Sequence, residues 1–230
     1  MKMWHWRKES FEGLKQVIEL SKSYPQWNLY TQYCELKEKG LRKTALKILN
    51  EFIENLNSKS LKDRIEFTNW IEERRLDHHE VIDLTPTTLQ KKIIEPTLSQ
   101  WSNEEPDNPI PLRWINSKES LIKAIELSRT EQIARYRLFH KIIGWIDYNQ
   151  HELEKCLYIE NPKIDLALME MLKVRINGLK DSEHAFEEID ARIEICKSYL
   201  EFEKSEYYGS GKFIPYMRKE KPNFDFDKYL

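Results

Sequence analysis

Apolar residues recur at intervals of three and four along almost the whole chain, and no other feature limits its fold as tightly. That spacing gathers apolar side chains on one side of an α-helix and leaves the other side to water. A first helix is predicted from about Ser10 to Ser23, with Phe11, Leu14, Val17 and Ile18 sharing a face. Pro25 stops it, because proline restrains the residue before it and lacks the N–H that would continue the ladder. A second runs from near Trp27 to Gly40, where glycine can take the left-handed conformation that ends helices. A third, from Leu41 to about Asn57, carries Ala45, Ile48, Leu49, Phe52, Ile53 and Leu56. Ser60 and Asp63 are spaced as a box-like cap for a fourth with Ile65, Phe67, Trp70 and Ile71. The stretch from His79 to Leu84 reads as an extended connector, since a lone strand has no partner here. Thr85 caps a further helix with Pro86 in its first position, and Pro96 should kink or end it. Residues 102–115 hold Pro106, Pro109 and Pro111, and read as a loop pinned by Trp101, Leu112 and Trp114.

The second half repeats this grammar. Asn116 and Glu119 are spaced as a capping box ahead of Leu121, Ala124, Ile125 and Leu127. From about Glu131 to Gln150 the pattern is apolar over most of the helix surface, through Leu138, Phe139, Ile142, Ile143, Trp145 and Ile146. Such a helix is expected at the centre of the core. Asn161-Pro162 opens the next, with Leu166, Leu168, Met171, Leu172 and Ile176. The last, from about Ser182, spaces Phe186, Ile189, Ile193, Cys196 and Leu200 as a narrow stripe for one long neighbour. From Tyr207 onward seven aromatic residues are interleaved with Gly, Pro, Lys and Asp. Exposed rings gain by finding a groove, so this arm is expected to be ordered, mostly non-helical and packed back on helices. Trp4-His5-Trp6 is expected to anchor as a cap over the first helix.

Composition removes several classes. Six glycines in 230 residues are few, and barrels, sandwiches and nucleotide-binding α/β sheets spend glycine freely on tight turns. The 37 Lys+Arg stand against 39 Asp+Glu, split 18 to 18 through residue 115 and 19 to 21 after it. Generic nucleic-acid binding draws on an excess of Lys and Arg, so it is not expected. Cys34, Cys156 and Cys196 are odd in number and far apart, the usage of reduced thiols and not of a disulfide framework. No apolar run approaches the roughly 18 residues of a membrane span, and the first residues lack the apolar core of a secretory signal. The expected compartment is the cytoplasm.

The block Leu14–Lys22 recurs as Leu121–Arg129, 107 positions later. Two halves opening on the same helix suit a stacked-helix array, although any two amphipathic helices share much of such a pattern. Within residues 26–57, Gly40, Ala45, Leu49 and Phe52 have the spacing of a turn glycine, a small crossing residue and two packing residues, with Leu29 and Leu36 on the preceding helix. This pair resembles a tetratricopeptide repeat, with Tyr33 where that family has a small residue and Asn57 where it usually has proline. The resemblance implies antiparallel helix hairpins stacked side by side. The expected fold is therefore all-α, about nine helices in a solenoid-like stack. Residues 1–206 would form one domain of two halves, 1–101 and 116–206, joined by the 102–115 loop, with an arm at 207–230.

Motifs for chemistry are sparse. Gly209-Ser210-Gly211-Lys212 lacks the first glycine of a phosphate-binding loop, has Phe213 where Ser or Thr would bind magnesium, and reads as a turn without strand or helix beside it. His78-His79-Glu80 diverge as neighbours, and His151 with Cys156 is not a helical-face spacing, so no metal site and no cofactor are expected. Arg135-Tyr136-Arg137-Leu138-Phe139-His140 resembles the Arg-x4-His motif of HEPN-type ribonucleases, with Tyr136 where that family prefers a short polar residue. Arg74 and His79 repeat the same spacing. The resemblance implies that His140 would move a proton in RNA cleavage while Arg135 stabilises phosphate charge. Tyr24, Trp27, Tyr30 and Tyr33 form a candidate binding group, because amphipathic aromatics dominate interaction hot spots.

Without a coherent catalytic set, the expectation is a protein-interaction or accessory, immunity-type module that works by surface complementarity without turnover. Its partner would be another protein, and a homodimer is open; a membrane is not expected as a partner. The HEPN-like ribonuclease using Arg135 and His140 stands as the alternative.

Overall fold

Cap chemistry and apolar spacing set the helix ends seen in the structure. The computed structural model describes residues 8–78, 81, 84–225 and 228–229. Trp4-His5-Trp6 and most of the His79–Leu84 connector lie outside the described residues. Among those described, every regular element is helical and none is a strand. By contact the chain divides into two compact units, with the boundary between Ile115 and Asn116.

In the first unit α1 (Lys8–Ser21) leads through a 3-10 turn, Pro25–Trp27, into α2 (Asn28–Glu38) and α3 (Arg42–Asn57). Gly40 joins the last two with φ 75°. The Leu41 N–H donates to the Leu36 carbonyl at 2.8 Å and the Gly40 N–H to that of Lys37 at 2.9 Å. These paired bonds are the Schellman closure that a left-handed glycine permits. α2 and α3 pack on each other as a hairpin. Ala45, Leu49 and Phe52 are buried in it, while α2 turns Tyr30, Tyr33 and Cys34 to the core and leaves Leu29 and Leu36 half-buried.

α4 (Leu61–Asp77) starts at the expected box: the Asp63 N–H donates to Ser60 Oγ at 3.3 Å, and the Ser60 N–H to Asp63 Oδ2 at 3.1 Å. The next helix begins at Thr87, one residue beyond Pro86, and Thr85 does not cap it. α5 (Thr87–Leu89), a π-turn (Gln90–Ile94) and α6 (Glu95–Glu104) run on as one rod through Pro96. Proline removes an N–H and crowds the carbonyl four residues back. The wider π-turn lies over that stretch of ladder and lets the helix continue past Pro96, where a kink or an end was expected. Residues 102–115 are not a loop throughout, since α7 (Pro109–Ile115) buries Pro111, Leu112 and Trp114. The expected anchors hold, and proline in a first turn costs a helix little.

In the second unit α8 (Lys118–Leu127) is capped one residue later than expected. Ser117 and Ser120 exchange the two cap bonds at 3.0 Å each. Asn116 instead takes a left-handed φ of 58°, a conformation asparagine tolerates. The echo keeps its face: Leu14, Val17 and Ile18 are buried in α1 as Leu121, Ala124 and Ile125 are in α8, and Leu20 and Leu127 are both exposed. By the same offset α2 maps onto residues 135–145 inside α9, but α3 maps onto the turn before Pro162, where the match of elements ends.

α9 (Gln132–Gln150) packs against α8, α10 (Pro162–Arg175) and α11 (Glu183–Phe202). Its central position is as expected, although one side remains open. α11 keeps Ile189 and Cys196 of the expected stripe inside but buries other residues beside them. Ala185, Ile189, Arg192, Cys196 and Tyr199 face inward while Phe186, Ile193 and Leu200 are half-buried. The arm after Tyr207 holds a 3-10 turn (Tyr208–Ser210) and α12 (Phe213–Glu220), so a helix does follow Gly211-Lys212. Phe213 and Met217 are buried, and Phe213 packs on Tyr199 and Phe202 at 5.3 Å between ring centroids. Counting 87–104 as one rod, the described residues form eleven helices against the nine expected; α7 and α12 account for the two.

Candidate functional site

Three of the four aromatics picked out as a binding group are core. Trp27, Tyr30 and Tyr33 are fully buried, and their rings pack with Phe52, Phe67 and Trp70. The Tyr30 hydroxyl donates to the Leu84 carbonyl at 2.8 Å, fastening the segment after α4 to α2. Tyr24 alone is part-exposed, stacked on Trp27 at 4.1 Å. With Trp70, Asn69, Glu66 and Glu73 it lines a cleft of about 320 Å³. The carboxylate of Glu73 already accepts from Asn69 at 3.0 Å and pairs with Arg113 at 3.8 Å. No ligand cage forms from the four.

Arg135 and His140 are not brought together. Five positions along a helix separate them by about 140° around its axis. Arg135 is 6% exposed. Its guanidinium donates to the Arg175 carbonyl at the end of α10 and to the Arg129 carbonyl beyond α8 at 3.0 Å. It ties the end of α10, whose last carbonyls lack helical partners, to the turn between α8 and α9. Burial lowers its pKa, yet an arginine remains charged at neutral pH. His140 is exposed and meets Tyr136 edge-on at 4.2 Å. Partial desolvation lowers the His140 pKa, with Glu188 acting in the opposite sense.

The second unit contains a polar network that sequence reasoning missed. The Asp165 carboxyl, 1% exposed, accepts from Asn149 at 2.7 Å, the Tyr158 hydroxyl at 2.8 Å and Trp145 Nε1 at 3.2 Å. Tyr158 Oη also lies 3.0 Å from Cys196 Sγ. Arg192 donates to Gln150 at 3.0 Å and to Asp147 at 2.8 Å. These bonds join α9, α10 and α11, and they turn Arg192 and Cys196 inward at the expense of Ile193. Burial pushes the Cys196 thiol up to about 11 and raises the Tyr158 phenol. A thiol held protonated is no nucleophile, so the network's part is to fix how the three helices pack. The spacing of Arg192 and Cys196, four apart, was the available signal.

One face of α9 is open to solvent. Tyr136, His140, Gly144 and Tyr148 follow each other at four-residue intervals, which on a helix is a single ridge. Tyr136 is 50% exposed and Tyr148 56%; Trp145, 47% exposed, sits at the opposite edge of this open side, about 180° round the helix from Tyr136. Trp145 was counted with the core on its apolarity, but its indole N–H is drawn to Asp165 and its ring stays at the surface. A Cβ at Gly144 would meet nothing within 4 Å.

No protein-family model matches the chain, and neither a curated protein nor a solved structure matches it. Among the described residues, no helix is long and apolar enough to cross a membrane, and no three His, Cys, Asp or Glu are grouped to hold a metal ion. The class defined by the fold is an all-helical protein of two compact units with an aromatic helix face on the second.

Proposed function

We propose that this protein is a cytoplasmic interaction module that grips another protein chain through the open face of α9, without cofactor or turnover. One observation carries the reading: Tyr136, Trp145 and Tyr148 are about half exposed on one helix. Large amphipathic rings are the side chains that carry most binding energy at protein interfaces. An accessory or immunity-type inhibitor is one form such a module takes. The α2–α3 hairpin supports a stacked-hairpin, tetratricopeptide-like reading of the first unit, since Gly40 makes the turn and Ala45, Leu49 and Phe52 fill the crossing.

The test is capture on tagged bait followed by mass spectrometry, comparing the native chain with a Tyr136→Ala/Trp145→Ala/Tyr148→Ala variant of unchanged helix content. A chain retained in stoichiometric amount by the first and lost by the second supports the reading. Equal retention by both overturns it.

A further inference from the structure

Gly144 has no use within its own chain. It is helical, not left-handed, and a Cβ there would touch nothing. Glycine inside a helix costs about 1 kcal/mol relative to alanine, so the missing side chain serves no packing need of this fold. Its place is the middle of the exposed ridge, between His140 and Tyr148. A gap in a ridge is where the backbone of a second helix can come close.

The charges around the gap indicate what crosses there. With Gly144 facing outward at the centre, helical geometry sets Tyr148 and Lys141 to one side and His140 and Asp147 to the other. Lys141, Asp147 and His140 are all exposed. A near-antiparallel copy of the same helix, crossing at Gly144, lays Asp147 of the second copy beside His140 and the ring of its Tyr148 beside Lys141. Each contact occurs twice, as a twofold interface requires. His140, which Glu188 already faces, then gains the Asp147 carboxylate, itself held by Arg192 of its own chain at 2.8 Å, and Lys141 gains an aromatic face of the kind that attracts cations. A parallel copy would instead place Lys141 beside His140 and Tyr148 beside Asp147, so that neither the ammonium nor the carboxylate finds a favourable neighbour. The face is thus complementary to itself in one orientation.

We infer that the chain pairs with a second copy of itself, near-antiparallel, across the α9 face at Gly144. The inference rests on the reading of this face as a docking surface and names its occupant. Sedimentation velocity of the full chain at about 10 and 100 μM, a range that detects micromolar pairing, reads the result against a monomer of 27.9 kDa. The native protein is expected at twice that mass. Gly144→Leu adds a side chain that nothing in the fold obstructs and that favours the helix, so circular dichroism should keep its helix signal. Its dimer dissociation constant should rise at least about tenfold, since the added bulk holds the two backbones apart. Lys141→Glu should also weaken pairing, by setting a carboxylate against the Tyr148 ring. A native chain that is monomeric at the higher concentration overturns the inference, and so does a Gly144→Leu dimer as tight as the native one. If the native chain is monomeric yet the triple alanine variant still loses a captured partner, self-pairing falls and the docking reading stands. If the chain is dimeric and Gly144→Leu separates it while capture of a different protein survives the triple substitution, self-pairing stands and the α9 face is not where that protein binds.

Discussion

Cys34 and Cys196 sit where a thiol keeps its proton. Burial pushes Cys34 up to about 12 and Cys196 up to about 11, from an ordinary 9.0. The folded chain therefore holds these protons more tightly than the unfolded one. Their contribution to stability is full below pH 9.0 and is lost as pH rises towards 11 to 12. Urea unfolding between these limits should show stability falling with pH, with a shallower fall in Cys34→Ala. Native protein should react with a thiol reagent at no more than Cys156, which is half-buried, and at all three cysteines once denatured. Arg135 supplies a second test at this scale. Removing its two bonds, to a carbonyl at the end of α10 and to one in the turn after α8, should cost about 3–6 kcal/mol, since bonds from a charged donor are worth about 1.5–3 kcal/mol each. Arg135→Ala should thus lower the denaturation midpoint strongly; an unchanged midpoint would return the residue to a role in chemistry.

Helix ends show both how far the sequence can be read and where it stops. The Ser60–Asp63 box and the Asn161-Pro162 start were legible because cap, acidic third residue and proline are local signals. The α8 cap was misplaced by one residue because Asn116 and Ser117 are both good caps. The choice turned on Asn116 accepting a left-handed backbone, which spacing does not encode. Ser117→Ala should therefore cost about 1 kcal/mol, while Glu119→Ala should stay within about 0.5 kcal/mol, both read from urea midpoints. The α9 face was hidden for a related reason. Apolarity said that Trp145 belongs inside, and only the bond from its indole to Asp165 on another helix shows why it lies at the surface. The network around Asp165 depends on residues up to 51 positions apart, from Trp145 to Cys196, and period alone cannot assemble such a set.

At the scale of the molecule, each unit buries its own core, and the arm after Tyr207 belongs to the second one. Phe213 lies between Tyr199 and Phe202, and its N–H donates to Cys156 Sγ at 2.9 Å. Phe213→Ala should cost about 3–5 kcal/mol, and deletion of residues 207–230 should lower the melting temperature in calorimetry. A truncated chain melting with the full one would mean that the arm is not part of the core. The central claim is that the open side of α9 is a docking surface, and hydroxyl-radical footprinting tests it most directly. Oxidation is compared between the dilute free chain and the complex eluted from bait. The account predicts that Tyr136, Trp145 and Tyr148 lose most of their oxidation together in the complex, while Tyr208 on the arm, 51% exposed, keeps its own. Equal oxidation of the three α9 rings in both states would contradict it.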